Sequence, residues 1–179
     1  ALGTLSYNGN KIITTGGGGM ILAGEELGAR AKHLTTTAKK PHPYEYVHDE
    51  LGYNYRLPNL NAALGCAQLE QLEAFIATKR ELAARYAAHL AGSELQFVTE
   101  PAECRSNYWL NAVICASHEQ RDALLKATND QGVMSRPIWA LMNRLPIYAH
   151  CRKGELSNAE WLEARVVNLP SSVLPDARA

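Results

Sequence analysis

The sequence predicts an α/β chain in two parts, and three observations predict it. Short strand-like apolar runs alternate with helical stretches, one helical run near the middle far exceeds the rest, and a glycine closes that run before a second set of strands and helices begins. Residues 2–7 (LGTLSY) and 20–23 (MILA) read as strand pieces flanking a turn built of one lysine and four glycines. Gly24, Glu25 and Glu26 open a short helix that ends near Lys32 and His33; acidic residues first and basic residues last suit the helix dipole. Residues 35–57, rich in Pro, Tyr, Asn and His, read as a long irregular loop, and a loop of that length inside a compact domain is usually functional.

The long helix starts near Pro58 and runs to about Ala91. Leu69, Leu72, Ile76, Ala83, Tyr86 and Leu90 recur at three-, four- or seven-residue intervals as one apolar stripe, and Gly92 is placed to stop it. Beyond it, residues 107–115 (NYWLNAVIC) read as a strand. Ser117 and Gln120 form a capping-box pattern for a helix ending at Gly132, and residues 132–139 (GVMSRPIW) read as the next strand. Ser157 and Glu160 make a second capping box, with Leu156 and Trp161 spaced as a hydrophobic staple. The expected division is therefore 1–91, including the 58–91 helix, and 92–179.

Composition narrows the function. With 179 residues and 46% hydrophobic content the chain can bury a core, so disorder is excluded as a default. Lysine plus arginine equals aspartate plus glutamate at 18 each, which argues against a uniformly basic nucleic-acid surface. Cys66, Cys104, Cys115 and Cys151 stand far apart with no Cys-x-x-Cys pair, the pattern of reduced thiols rather than a disulfide scaffold or zinc site. No apolar run is long enough to span a bilayer and no signal peptide is visible, so the expectation is a soluble, cytoplasmic protein. The chain opens directly on a strand-like run, which suggests a missing upstream segment.

The stretch SYNGNKIITTGGGGM, residues 6–20, carries the sharpest chemical signal. A Walker loop requires its lysine after the glycines, and here Lys11 precedes them; a G-x-G-x-x-G dinucleotide loop would have to ignore Met20 and Ile21. The bland alternative is a solvated turn lysine beside a flexible hairpin. Against it, Ser6, Asn8 and Asn10 surround Lys11 with small hydrogen-bonding groups, Ile12 and Ile13 anchor the segment, and glycines let backbone pass close to a flat ligand. These features suit a lysine that forms a Schiff base and carries a proton between two carbons.

At this point the residues resemble a known family. SYNGNKIITTGGGGM, followed by DELGYNYRLPNLNAALGCAQLEQLE (49–73), resembles the DegT/StrS sugar aminotransferases, pyridoxal-phosphate enzymes of the aspartate-aminotransferase fold. The run GVMSRPIWALMNRLPIYAHC (132–151) resembles the narrower group that aminates UDP-4-keto-6-deoxy-N-acetylhexosamines. The resemblance implies the C-terminal half of such a fold: the end of the large domain, the long linking helix and a small α+β domain. It implies that Lys11 bonds the cofactor aldehyde, that Ser6 binds its phosphate, and that Asn54 reaches across a homodimer interface to the neighbouring subunit's cofactor, with Tyr53, Tyr55 and Arg56 at that boundary and Tyr53 and Arg56 also candidate substrate contacts. The amino donor is expected to be glutamate. The carboxylate for the pyridine nitrogen and the group flat against the ring would lie upstream; Asp49, Asp122, Asp130 and Asp176 do not match. Some relatives are dehydratases that carry histidine at the lysine position, so Lys11 favours transamination. A third reading is a fragment that folds or dimerises without turnover.

Several residues keep two readings. Asn54 also suits an ordinary turn, and Arg56 a surface ion pair. His42, between prolines, is a candidate contact for the sugar nucleotide. Trp139 and Tyr148 are candidates for a sugar or base pocket, against small-domain core, and Trp161 reads as core. Arg136 is a candidate partner for a diphosphate or a donor carboxylate. His33, His42 and His48 lack metal-like spacing, so no metal is expected.

Overall fold

The computed structural model describes residues 1–173 and divides into two compact units, Ala1–Glu73 and Ala74–Ala179. The sequence pattern put the division near Gly92; in the structure it falls inside the long helical run instead. That run is not one helix. It is α2 (Asn59–Glu70) and α3 (Leu72–Leu90), parted at Gln71, which caps α2 with φ of −102° and ψ of 0° and whose N–H donates to the Gln68 carbonyl (3.2 Å). Apolar periodicity is blind to a one-residue break because the residues on either side keep nearly the same phase.

In the first unit, β1 (Leu2–Ser6) and β2 (Gly19–Ala23) pair antiparallel, with Leu2 opposite Ala23 and Ser6 opposite Gly19. Helix α1 (Glu25–Thr35) follows, with Glu25 and Glu26 in its first turn and Lys32 and His33 in its last, as its charge order predicts. Residues 35–57 are more regular than their composition suggests. The Tyr53 N–H donates to the Leu34 carbonyl (2.7 Å), the Thr37 N–H to the Tyr53 carbonyl (3.0 Å) and the Tyr55 N–H to the Thr35 carbonyl (2.9 Å). Bridges Thr36–Asn54 and Lys39–His48 extend this pairing, so the segment is a lobe closed on its own stem.

The second unit is a four-stranded antiparallel sheet in the order β3 (Gln96–Phe97), β4 (Asn111–Ile114), β6 (Val166–Leu169), β5 (Arg136–Pro137). Val113 and Val167 are opposite one another and fully buried with Cys115, under Leu90 of α3, Phe97, and Leu124 and Leu125 of α4 (His118–Asp130). Each buried valine contributes on the order of 1.5–3 kcal/mol, so this pair is the hydrophobic centre of the unit. The Ser117 hydroxyl caps α4 by accepting from the Gln120 N–H, and the Gln120 side chain reaches back to the Ala116 N–H (2.6 Å). The second expected box fails. Helix α5 (Ser157–Glu163) starts without a side-chain cap, Glu155 rather than Glu160 binds the Ser157 N–H (2.7 Å), and Trp161 is half-exposed under the Arg165 guanidinium. The 132–139 strand shrinks to two residues, because α4 ends in a left-handed Gly132 and Pro137 lacks the donor a longer ladder needs.

Two charged groups tie α3 to the loops of this unit. Lys79 is 5% exposed, and its ammonium donates to the carbonyls of Trp109 (3.2 Å) and Ser171; burial pushes its pKa down. Arg80 forms a two-pronged pair with Glu100 (2.9 and 2.7 Å), which also accepts from the Ser106 N–H. The Arg80 hydrogen bond, with that of Ser106, holds the Glu100 carboxyl down at about 2, from an ordinary 4.5. A depressed carboxyl stabilises the fold above its unfolded value and loses that contribution as pH falls toward its folded value. The unfolding midpoint of the wild-type chain is therefore expected to drop between pH 4.5 and about 2 more steeply than that of Glu100→Gln, measured by denaturant titration across that range. Equal slopes would exclude this pair as an acid-sensitive element.

Candidate active site

Lys11 lies in the loop between β1 and β2, and main-chain bonds shape that loop. The Tyr7 N–H donates to the Gly18 carbonyl, the Thr15 N–H to the Tyr7 carbonyl and the Lys11 N–H to the Asn8 carbonyl, each at 3.0 Å. The Asn8 amide donates to Asn10 (3.1 Å), and the Ser6 hydroxyl oxygen accepts the Asn8 N–H (3.4 Å). Thr15 is 2% exposed and roots the loop, while Lys11 is partly exposed and Ser6 exposed.

One face of α2 clamps this loop. The Asn61 amide donates to the Thr15 carbonyl (2.5 Å), and the Gln68 oxygen accepts the Thr14 N–H (3.4 Å). Between them on the same face, Gly65 brings the helix so close that a Cβ there would stand 3.0 Å from the Thr15 methyl. Sequence reasoning passed over Asn61, Gly65 and Gln68 as site-supporting residues. Their spacing of four and three was the available signal, hidden because polar residues interrupt the apolar stripe.

Gly18 explains part of the glycine run. Its φ of +87° disfavours any side chain, and a Cβ would sit 2.9 Å from Leu57 Cδ1. Leu57 thus packs on the lysine loop and links it to the segment carrying Tyr53, Asn54, Tyr55 and Arg56. In contrast, a Cβ at Gly16 or Gly17 meets nothing within 4 Å, which leaves open space along that edge of the loop.

Asn54 is exposed; its backbone pairs with Thr36, and its amide makes no hydrogen bond among the described residues. Tyr53 and Tyr55 stack 5.2 Å apart, and Arg56 donates to the Thr36 carbonyl (3.4 Å) and forms no ion pair among the described residues. His42 lies at the far end of the lobe, where its Nδ1 accepts the Glu45 N–H (2.9 Å), so it braces its own turn.

In the second unit, Arg136 is exposed, with Nη1 donating to Asn129 Oδ1 (3.0 Å) and to the Ser135 carbonyl (2.8 Å). Trp139 is 64% exposed and stacks on Trp109 at 6.2 Å, and Tyr148 is 37% exposed in a short 3₁₀ turn. Neither Trp139 nor Tyr148 is core. Of the aspartates, Asp49 pairs with His33, Asp122 with Arg121 and Asp130 with Lys126; Asp176 lies outside the described residues.

The description DegT/DnrJ/EryC1/StrS aminotransferase family matches residues 1–176. The chain belongs to that family. Pyridoxal phosphate is the family's cofactor. GDP-perosamine synthase of Escherichia coli O157:H7 is 36% identical over 171 residues, covering 95% of this chain and 46% of that protein. UDP-N-acetyl-3-dehydro-alpha-D-glucosamine 3-aminotransferase of Acidithiobacillus ferrooxidans is 28% identical over 180 residues, covering 99% and 47%. The aminotransferase TlmJ from Streptoalloteichus hindustanus superposes with a TM-score of 0.89 at 28% identity, over 98% of this chain and 48% of its own. The chain thus spans about half the length of the relatives it matches, as the C-terminal half of this fold does.

The residues present fit the cofactor. A partly exposed primary amine, a neighbouring hydroxyl whose hydrogen is not committed to the Asn8 N–H it accepts, and open space beside Gly16 and Gly17 meet the needs of a flat aldehyde bearing a phosphate. No helix among the described residues is long and apolar enough to cross a membrane.

Proposed function

We propose that this chain is the part of a nucleotide-sugar aminotransferase that supplies the cofactor-bonding lysine, moving an amino group from glutamate to the 4-keto carbon of a nucleotide-linked deoxy sugar. The observation that carries the reading is Lys11, held in a loop rooted by buried Thr15 and clamped by α2, within a chain of this family. Bound pyridoxal phosphate would supply an electron sink and an amine carrier. Lys11 Nζ would hold the cofactor through its aldehyde, with loss of water, and once released would carry a proton between two carbons of the bound cofactor adduct. Ser6 donates to the phosphate, and a neutral donor there leaves the amine's charge less disturbed than a second ammonium would. Asn54, exposed with an uncommitted amide, serves the phosphate of a neighbouring subunit in a homodimer. The exposed Tyr53, Tyr55, Leu51 and Leu60 beside it support such an interface.

Arg136, Trp139 and Tyr148 are assigned to the sugar nucleotide, and Arg56 and His42 are the weakest members of the set because both already serve the lobe's own backbone. The base stays open between uracil, which the 132–151 run favours, and guanine, which the name of the E. coli relative favours. Leu2, Leu5, Met20, Ile21 and Leu22 stand about half-exposed on both faces of the two-stranded ribbon, which supports further structure packing on it in the working enzyme. Cytoplasmic residence belongs to this reading, and four free cysteines support it. The test is 2-oxoglutarate release from glutamate beyond one equivalent per enzyme when a protein carrying this chain at full family length is given UDP- and GDP-linked 4-keto sugars. Release with one or both supports the reading, and release with neither, in a protein that has taken up cofactor, overturns it.

A further inference from the structure

We propose that Arg30 and His33 are positioning residues: from one face of α1 they brace a strained lobe and so hold residues 53–56 in register. Thr37 and Ala38 are two consecutive non-glycine residues with φ of +70° and +48°. L-residues avoid this region, and a pair of them persists only where the surroundings over-determine the backbone. Here several contacts do so. The Ala38 N–H donates to the His33 carbonyl (2.8 Å), the Asp49 N–H donates to the Ala38 carbonyl (3.2 Å), and His48 Nδ1 meets the Thr37 carbonyl (2.6 Å).

The side chains of Asp49 and Glu50 then turn back to α1. Both Arg30 terminal nitrogens donate to the two Glu50 oxygens, and His33 Nε2 lies 2.7 Å from Asp49 Oδ1. Arg30 and His33 are three residues apart, so both project from one side of the helix. Directly behind this brace run the Tyr53-to-Leu34 and Tyr55-to-Thr35 bonds and the Thr36–Asn54 bridge. Releasing the brace lets residues 37 and 38 relax, and that relaxation slackens the stem carrying Asn54. His33, Asp49 and Glu50 also lie within 4.8 Å of one another, a spacing that suits a cation. The Arg30 guanidinium occupies both Glu50 oxygens and Lys40 stands 3.9 Å from Asp49, so each carboxylate already has a basic side-chain partner.

The functional consequence rests on the reading of Asn54 given above, whereas the brace is tested without cofactor. Amide hydrogen exchange is followed in the chain as it stands. Arg30→Met and Glu50→Gln should each speed exchange at the Tyr53 and Tyr55 amides by about fivefold, and leave Val113 and Val167 unchanged. The swapped pair, Arg30→Glu with Glu50→Arg, should return both tyrosines to within about twofold of wild type, a rescue that loss of general stability would not give. Unchanged exchange in both single variants, or a swap as fast as the singles, overturns the proposal. So does slowing of the Tyr53 amide by added Zn²⁺ in wild type but not in Glu50→Gln, since the cluster would then be a metal site. Asn54→Ala should leave the tyrosine amides at wild-type rates; its effect on cofactor retention in the full-length enzyme judges the Asn54 reading separately.

Discussion

Replacing Lys11 by alanine, in a protein carrying this chain at full family length, is expected to lower transamination by at least ~10³-fold, the combined loss of a nucleophile and a proton carrier. The variant should still fold. The loop's shape comes from main-chain bonds at Tyr7, Lys11 and Thr15 and from the Asn61 and Gln68 clamps, none of which needs the Lys11 side chain. Lys11→Arg sharpens the experiment, because arginine keeps the positive charge but stays protonated and cannot attack an aldehyde. If Lys11 acted only as a charge near the phosphate, arginine would restore most of the rate. Retention of the loss in Lys11→Arg, with circular dichroism unchanged, is the expected result, and near-normal turnover in Lys11→Ala would remove the lysine from the chemistry.

The second large effect concerns Gly52. A Cβ at this position would overlap the Ala38 nitrogen and the Thr37 carbonyl carbon, both backbone atoms in a stretch already held at positive φ. Neither side can yield cheaply: Ala38 is fully buried, and the stem bonds of Tyr53 follow immediately. Gly52→Ala is therefore expected to destabilise the lobe by about 3 kcal/mol, the upper part of the range for overpacking. Hydrogen exchange at the Tyr53 and Tyr55 amides should quicken by about a hundredfold, while the sheet amides of Val113 and Val167 stay protected. Gly9→Ala is the contrasting control, since a Cβ there meets nothing within 4 Å and should change little. Equal behaviour of the two variants would mean that the close approach at Gly52 carries no energetic weight.

Much of this was legible in the sequence for identifiable reasons. The β1 and β2 strands, the charge order of α1 and the Ser117 cap are local features, written in neighbouring residues, and the structure has them. Lys11 stood out because a lysine flanked by small polar groups and glycines is chemically unusual. What stayed hidden depends on tertiary approach. Two exceptions are local: Gln71 breaks the helix without breaking its apolar phase, and α5 starts one residue early, with Leu156 at its N-cap and Glu155 accepting the Ser157 N–H. The 35–57 lobe read as irregular because its pairing joins residues about twenty apart and its strain sits on Thr37 and Ala38, residue types that do not advertise positive φ. The Gly52 contact likewise needs coordinates, since a glycine in GYNYR offers only a turn signal on its own.

The most direct measurement is chemical. A protein carrying this chain at full family length is loaded with pyridoxal phosphate, reduced with borohydride, digested and mapped by mass spectrometry. The expected result is a single pyridoxyl group on the peptide containing residues 6–20, located on Lys11 and absent from the Lys11→Ala variant. A label on another lysine, or uptake of cofactor with no reducible bond at all, would contradict the claim on which the proposed chemistry rests.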